Sequence, residues 1–145
     1  MVAEFERRAQ ATPFDSVAHT ELGTAYLNKM LTTNGGPEAG KWGAKGGQAY
    51  LHALDLDETN WDARFALAQH DTNADMRGDA LHNLEALVVQ QAERTPVAKH
   101  AQSFLWLGNV LMDRGDPQAA MRAWRSGLAL FPADESLQER LRAFE

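Results

Sequence analysis

The feature that most constrains the fold is a spaced pattern of large and small residues between Phe104 and Pro132. The pattern reads Phe104-x2-Leu107-Gly108-x2-Leu111, then Gly115-Asp116-Pro117, then Ala120-x3-Trp124. Bulky residues three or four apart share one helix face, while glycine and alanine permit a second helix to approach closely. Glycine tolerates the left-handed conformation that ends a helix, and an Asp-Pro pair is typical of a helix start. The stretch therefore predicts two helices joined by a short turn.

The same spacing recurs earlier in the chain. Leu22-Gly23-x2-Tyr26 has the offsets of Leu107-Gly108-x2-Leu111. If Pro132 closes one unit, similar closures occur at Pro96, Glu58 and Pro13, with separations of 36, 38 and 45 residues. The pattern thus divides the chain into units at 15–58, 60–96 and 99–132, with a half unit at 3–13 and a final segment at 134–145.

These units resemble the tetratricopeptide repeat (TPR) of bacterial-type TPR proteins, which has about 34 residues. The resemblance covers residues 3–145 and is strongest in the third repeat, residues 99–132. It is weakest in the second, where Ala68 replaces glycine and Asp71 replaces an aromatic residue. The resemblance implies an all-α solenoid, a right-handed superhelix of about seven or eight helices in antiparallel pairs, as a single domain over residues 1–145. Residues beyond the repeat length are expected in turns, with the largest insertion near residues 30–45.

Local signals place the helices of the repeats. Asp15 suits the N-cap of a helix over Ser16–Leu31, and Pro37 suits the first turn of a helix that ends near Leu56. Four glycines in the first half of that second helix indicate either fraying or close packing: Gly40, Gly43, Gly46 and Gly47. Arg77-Gly78-Asp79 is expected to form the turn of the second repeat.

The two ends of the chain allow alternatives. Residues 3–12 match either an N-terminal capping helix or the second helix of a truncated repeat. The alternating charged and apolar residues of Glu135–Phe144 match a helix that covers the last apolar face, or the first helix of a further repeat.

Composition and motifs exclude several functions. The chain has no cysteine, a net charge of −6 and a pI near 5.3, which disfavours nucleic-acid partners. No apolar run is long enough for membrane insertion, so the sequence predicts a soluble chain, for which the cytoplasm is favoured over the periplasm. The histidines lack the spacing of metal ligands, and Gly35–Trp42 lacks a phosphate-loop pattern. We therefore expect no enzyme activity, metal or cofactor.

The TPR resemblance implies a ligand groove on the concave face, lined by the first helix of each pair. The groove candidates are Thr20, Thr24, Asn28, Asp62, Phe65, Gln69, Gln102, Leu105, Asn109 and Met112. Asn109 fits one position of the clamp that holds carboxylate tails in some TPR domains, but Thr20 and Leu105 stand where that clamp needs cations. These residues favour a peptide or protein partner with apolar side chains and an amide-rich backbone.

Two further functions remain open from the sequence. The chain could be a self-assembling segment of a longer solenoid or a homo-oligomer, or it could be an accessory domain of a larger enzyme. Trp42 lies in the glycine-rich segment, and an exposed tryptophan there would mark a contact site.

Overall fold

The computed structural model describes residues 1–145 and is entirely helical between its turns. Two short 3₁₀ turns, Gln91–Glu93 and Ala98–His100, accompany eight α-helices. The helices are α1 (Val2–Ala11), α2 (Ser16–Thr32), α3 (Gly36–Leu56), α4 (Trp61–Asn73), α5 (Arg77–Gln90), α6 (Ala101–Asp113), α7 (Pro117–Leu130) and α8 (Glu135–Phe144). The all-α class predicted from the sequence is therefore confirmed. The chain divides into two compact units, residues 1–70 and 71–145, with the border inside α4.

In the first unit, α2 and α3 pack closely because glycines on each helix leave room for large side chains of the other. A Cβ atom on Gly23 would lie 2.7 Å from Tyr50 Cε1, and one on Gly46 would lie 2.7 Å from Leu27 Cδ2. Tyr50 is only 2% exposed and belongs to a buried cluster with Ala53 and Leu54. Close packing, rather than fraying, therefore explains Gly46. Gly40 is exposed, and no atom of a neighbouring element lies within 4 Å of the place that its Cβ would take.

The extra residues of the first repeat lengthen its helices. Helix α2 has 17 residues and α3 has 21, and only residues 33–35 separate them. The expectation that the insertion near residues 30–45 sits in a turn is thus wrong. Pro37 lies in the first turn of α3, where its missing N–H is not needed, so the helix starts early.

Helix α1 lies against α2, and hydrogen bonds set the joint between them. Asp15 Oδ1 accepts from the backbone N–H of Val17 at 2.9 Å, which is the predicted N-cap of α2. The hydroxyl of Tyr26 donates to Glu6 Oε2 at 2.8 Å. Burial, together with this bond and the charge of Glu6, raises the pKa of Tyr26 to about 12. A neutral Tyr26 thus ties α1 to α2 over the physiological pH range.

In the second unit, the turn before α5 lies earlier in the chain than the sequence predicts. Helix α5 starts at Arg77, so Arg77–Asp79 is its first turn and not the connection. The connection lies just before it, where Asp75 adopts a positive φ of 60°. Asp71, which replaces an aromatic residue, is buried, and its Oδ2 accepts from Asn83 Nδ2 at 3.1 Å. A polar pair thus takes the place of the usual aromatic contact.

Helices α6, α7 and α8 surround a core centred on Trp124. Trp124 is fully buried and lies directly against Gly108, and its indole N–H donates to the carbonyl oxygen of Leu105 at 3.2 Å. Asp116 Oδ1 accepts from the backbone N–H of Ala119 at 3.0 Å and caps α7. Leu137 of α8 is also fully buried in this cluster. Helix α8 therefore covers an apolar face of the second unit.

Candidate interaction groove

A groove of about 510 Å³ opens in the first unit between α1, α2 and the start of α4. It has an apolar part, in which Val17 is 60% exposed, and a polar rim at the start of α4. Its lining residues are Met1, Phe5, Arg8, Val17, Thr20, Glu21, Thr24, Ala25, Asn28, Asn60 and Asp62. Four of the ten residues predicted from the sequence are among them: Thr20, Thr24, Asn28 and Asp62.

The other two candidates of this unit do not line the groove. Phe65 is 5% exposed, and its ring stacks on Trp61 with the centroids 4.7 Å apart. Its assignment to the ligand surface is therefore wrong, because the aromatic ring is part of the protein interior. Gln69 is half-buried and is absent from the groove lining.

The two groove threonines are held by hydrogen bonds inside the protein. Thr20 Oγ1 accepts from Asn60 Nδ2 at 2.9 Å and donates to the carbonyl oxygen of Ser16. Thr24 Oγ1 lies 2.9 Å from the hydroxyl oxygen of Tyr50. Burial raises the pKa of Tyr50, so this phenol stays protonated. These bonds fix α2 to the neighbouring elements and leave the groove floor less polar than its sequence indicates.

Helix α1 supplies groove residues that the sequence analysis missed. Phe5 and Arg8 lie on its groove side, and the Arg8 guanidinium sits 5.2 Å from the centre of the Phe5 ring. Arg8 Nη2 is 2.7 Å from Glu4 Oε1, and Nη1 is 3.9 Å from Glu21 Oε2. The cation of the groove is therefore shared by two carboxylates. The spacing of Met1, Phe5 and Arg8 is the helical signal that could have identified this wall.

A second depression of about 410 Å³ adjoins the first along the seam between α1 and α2. The two share Met1, Ala25 and Asn28, and the second also reaches Lys29 and Thr32 at the end of α2. The two adjoining depressions are together named the seam groove, which comprises the surface from Val17 to Thr32 on α2, from Met1 to Arg8 on α1, and Asn60 and Asp62 at the start of α4.

The four candidates of the second unit lie elsewhere. Asn109 and Met112 line a smaller cavity of about 200 Å³ with Trp106 and Arg140, and Asn109 Oδ1 is buried without a hydrogen-bond partner. Leu105 packs partly against the Trp124 core, and Gln102 is exposed. Neither Leu105 nor Gln102 lines this cavity.

Trp42 is not a free anchor for a partner. Its ring stacks on Tyr26 with centroids 5.8 Å apart, and the ammonium of Lys45 lies 5.1 Å from its centre. The side chain is half-buried on α3. Trp42 therefore does not meet the condition of exposure under which it would mark a contact site.

Metal-binding groups and helices that could cross a membrane are both absent from the structure. The structure contains no group of three or more His, Cys, Asp or Glu side chains that could hold a metal ion. None of its helices combines the length and the apolar character that crossing a membrane requires.

Comparison with known proteins relates this chain to others through its structure alone. No family model matches the sequence, and no curated protein matches it. Among solved structures, MamA has a TM-score of 0.71 at 16% identity, and the match covers 98% of this chain and 78% of MamA. A thermophilic TPR protein of Thermus thermophilus, TTC0263, has a TM-score of 0.78 at 13% identity over 98% of this chain and 70% of that one.

A third similar structure is the N-terminal domain of the stress-induced protein STI-1 from C. elegans. Its TM-score is 0.64 at 19% identity, and the match covers 87% of this chain and 96% of that domain. At identities of 13–19%, these structural matches show the fold alone. The fold is that of tetratricopeptide-repeat proteins, as the pattern around Trp124 predicted.

Proposed function

We propose that the chain is a non-catalytic protein-interaction module that binds a peptide or a segment of a partner protein in the seam groove. The observation that carries this proposal is the groove of about 510 Å³ between α1, α2 and the start of α4. Its volume falls in the range of about 300–1,000 Å³ that is usual for small-molecule and cofactor sites. The TPR fold supports the same function, because this class consists mainly of adaptors.

The groove chemistry favours apolar and amide-rich ligands. Phe5 on α1 and Val17 on α2 offer apolar surface, and Asn28 is exposed on the α2 side of the groove. Arg8 is already engaged by Glu4 and Glu21, so it does not provide the free cationic fork that a terminal carboxylate requires. We therefore expect internal peptide segments to bind better than free carboxyl termini.

Selection from random peptide libraries tests this function with a matched pair of variants. Val17→Glu places a charge in the groove, whereas Leu51→Glu places one on α3, where Leu51 is 53% exposed and outside the groove. We expect peptides selected on the unmodified protein to bind Val17→Glu at least about tenfold more weakly, because an apolar contact is replaced by a charge. Binding to Leu51→Glu should be unchanged.

Two results would contradict the proposal. One is the absence of any enriched peptide, and the other is equal loss of binding in both variants. Circular dichroism of each variant shows that the fold is retained, which is expected because both positions are exposed.

Self-assembly is the second candidate function. Leu130 and Phe144 in the second unit are 48% and 46% exposed, although both lie in helices that also line its core. Light scattering at two concentrations tests it, and a monomer at low micromolar concentration would exclude obligate self-assembly.

A further inference from the structure

We propose that the occupant of the seam groove is an amphipathic helix of a partner protein, lying parallel to α2 with basic residues near its N-terminus. This inference rests on the proposed function and specifies the ligand. Its basis is the shape of the groove walls and the distribution of charge along them.

The walls of the groove have helical spacing on both sides. On α2 the lining residues recur at Val17, Thr20, Thr24 and Asn28, and on α1 at Met1, Phe5 and Arg8. Two stripes with this period form the ridges and grooves into which a third helix packs. An extended peptide would instead present side chains at intervals that do not match four consecutive helical turns.

The length of the groove also fits a helix. From Val17 to Thr32 the seam follows nearly all of α2. At 1.5 Å per residue this is about 22 Å, which is about four turns of a docked helix.

Charge along the groove gives the occupant a direction. Asp62 lies at the end near the start of α4, and Lys29 lies at the opposite end beside Thr32. Glu21 adds a carboxylate to the wall between them, although it is shared with Arg8. A helix has a positive N-terminal end and a negative C-terminal end. Its N-terminus therefore matches Asp62 and its C-terminus matches Lys29, which makes the occupant parallel to α2.

The middle of the groove fits the close approach of a helix. Thr20, Thr24 and Ala25 are short side chains, and the hydroxyls of both threonines are bonded to the protein itself. A partner helix can therefore rest its apolar stripe on this floor without leaving unsatisfied polar groups.

Two peptide libraries distinguish a helical occupant from an extended one. One library varies a single face of a stable three-helix scaffold, and the other displays linear peptides with central prolines. We expect the helical library to give the tighter binders, with Lys or Arg in their first turn, and Val17→Glu to weaken them while Leu51→Glu does not. Replacing a central residue of a selected helix by proline should weaken binding by about a hundredfold, because proline in a helix interior costs about 3 kcal/mol.

Charge exchange tests the direction. Lys29→Glu should weaken a selected helix by about twofold to fivefold at low salt, and adding a lysine at the C-terminal end of that helix should restore the loss. A nitroxide label at the peptide N-terminus should broaden the amide signals near Val17 and leave those near Thr32 sharp.

The outcomes of these experiments distinguish failure of the helical occupant from failure of the interaction groove itself. If linear peptides bind more tightly than helices and still depend on Val17, the helical occupant is overturned and the interaction groove survives. If neither library gives binders that depend on Val17, both proposals fail. Broadening near Thr32 in place of Val17 would overturn the parallel direction alone.

Discussion

The side-chain amide of Asn60 donates to Thr20 Oγ1 at 2.9 Å, which joins the start of α4 to α2 at the floor of the seam groove. The same Nδ2 lies 2.7 Å from Ser16 Oγ, and Asn60 Oδ1 accepts from the backbone N–H of Ala63 at 3.0 Å. One side chain therefore caps α4 and fixes it to α2. The position of Asp62 at the groove rim depends on this joint.

Removing this amide should destabilise the first unit. Asn60→Ala loses a helix cap and two hydrogen bonds, for which we expect a loss of about 1–3 kcal/mol in the free energy of unfolding. Urea denaturation followed by circular dichroism measures it. Asn34→Ala is the matched control, because Asn34 is exposed in the connection before α3, and it should stay within about 0.5 kcal/mol of the unmodified protein. Equal stability of the two variants would contradict the structural role of Asn60.

The sequence predicted the helices well where capping and spacing act locally. Asp15 and Asp116 cap α2 and α7 as expected, and α8 has the predicted bounds Glu135–Phe144. These signals depend only on neighbours within a few residues, so they can be read without the tertiary structure.

The groove was predicted only in part, because lining a groove depends on tertiary packing. Repeat offsets placed Thr20, Thr24, Asn28 and Asp62 on one face, and these four residues line the groove. They could not show that Phe65 stacks on Trp61 and is thereby buried. They also say nothing about α1, which lies outside the three complete repeats and supplies Phe5 and Arg8.

The contact between Gly108 and Trp124 predicts a strong effect of one added methyl group. A Cβ atom at position 108 would overlap the indole ring of Trp124, which is fully buried and cannot move aside freely. Gly108→Ala should therefore lower the free energy of unfolding by about 1–3 kcal/mol, in spite of the higher helix propensity of alanine. Urea denaturation with tryptophan fluorescence measures the change.

Gly78→Ala is the control for that substitution. Gly78 lies in the first turn of α5 in the same unit, and no atom occupies the space that its Cβ would take. We expect this variant to be unchanged or more stable by up to about 1 kcal/mol. If both variants were stabilised alike, close helix packing would not be the reason for glycine at position 108.

The cap of α7 can be tested with a conservative pair of variants. Asp116→Ala removes the acceptor for the Ala119 N–H and should cost about 0.5–2 kcal/mol, whereas Asp116→Asn keeps an acceptor oxygen and should cost much less. Thermal denaturation of the three proteins at neutral pH gives the comparison. A loss of similar size in both variants would indicate that the charge, and not the cap, is important at this position.

The hydrogen bond between Tyr26 and Glu6 predicts a loss of stability at alkaline pH. The pKa of Tyr26 is about 12 in the folded protein and near 10 in the unfolded chain. The folded state holds the phenolic proton more tightly, so this contribution to stability is complete below pH 10 and is lost as the pH rises towards 12. Tyr26→Phe cannot ionise and should show a smaller loss over that interval, although it starts from a lower stability at pH 7 because the bond to Glu6 is absent.

Tyr50, whose pKa is also raised, titrates in both proteins, so the difference between their stability curves reports on Tyr26. Urea denaturation at intervals from pH 8 upward measures this difference, and parallel curves for the two proteins would contradict the assignment.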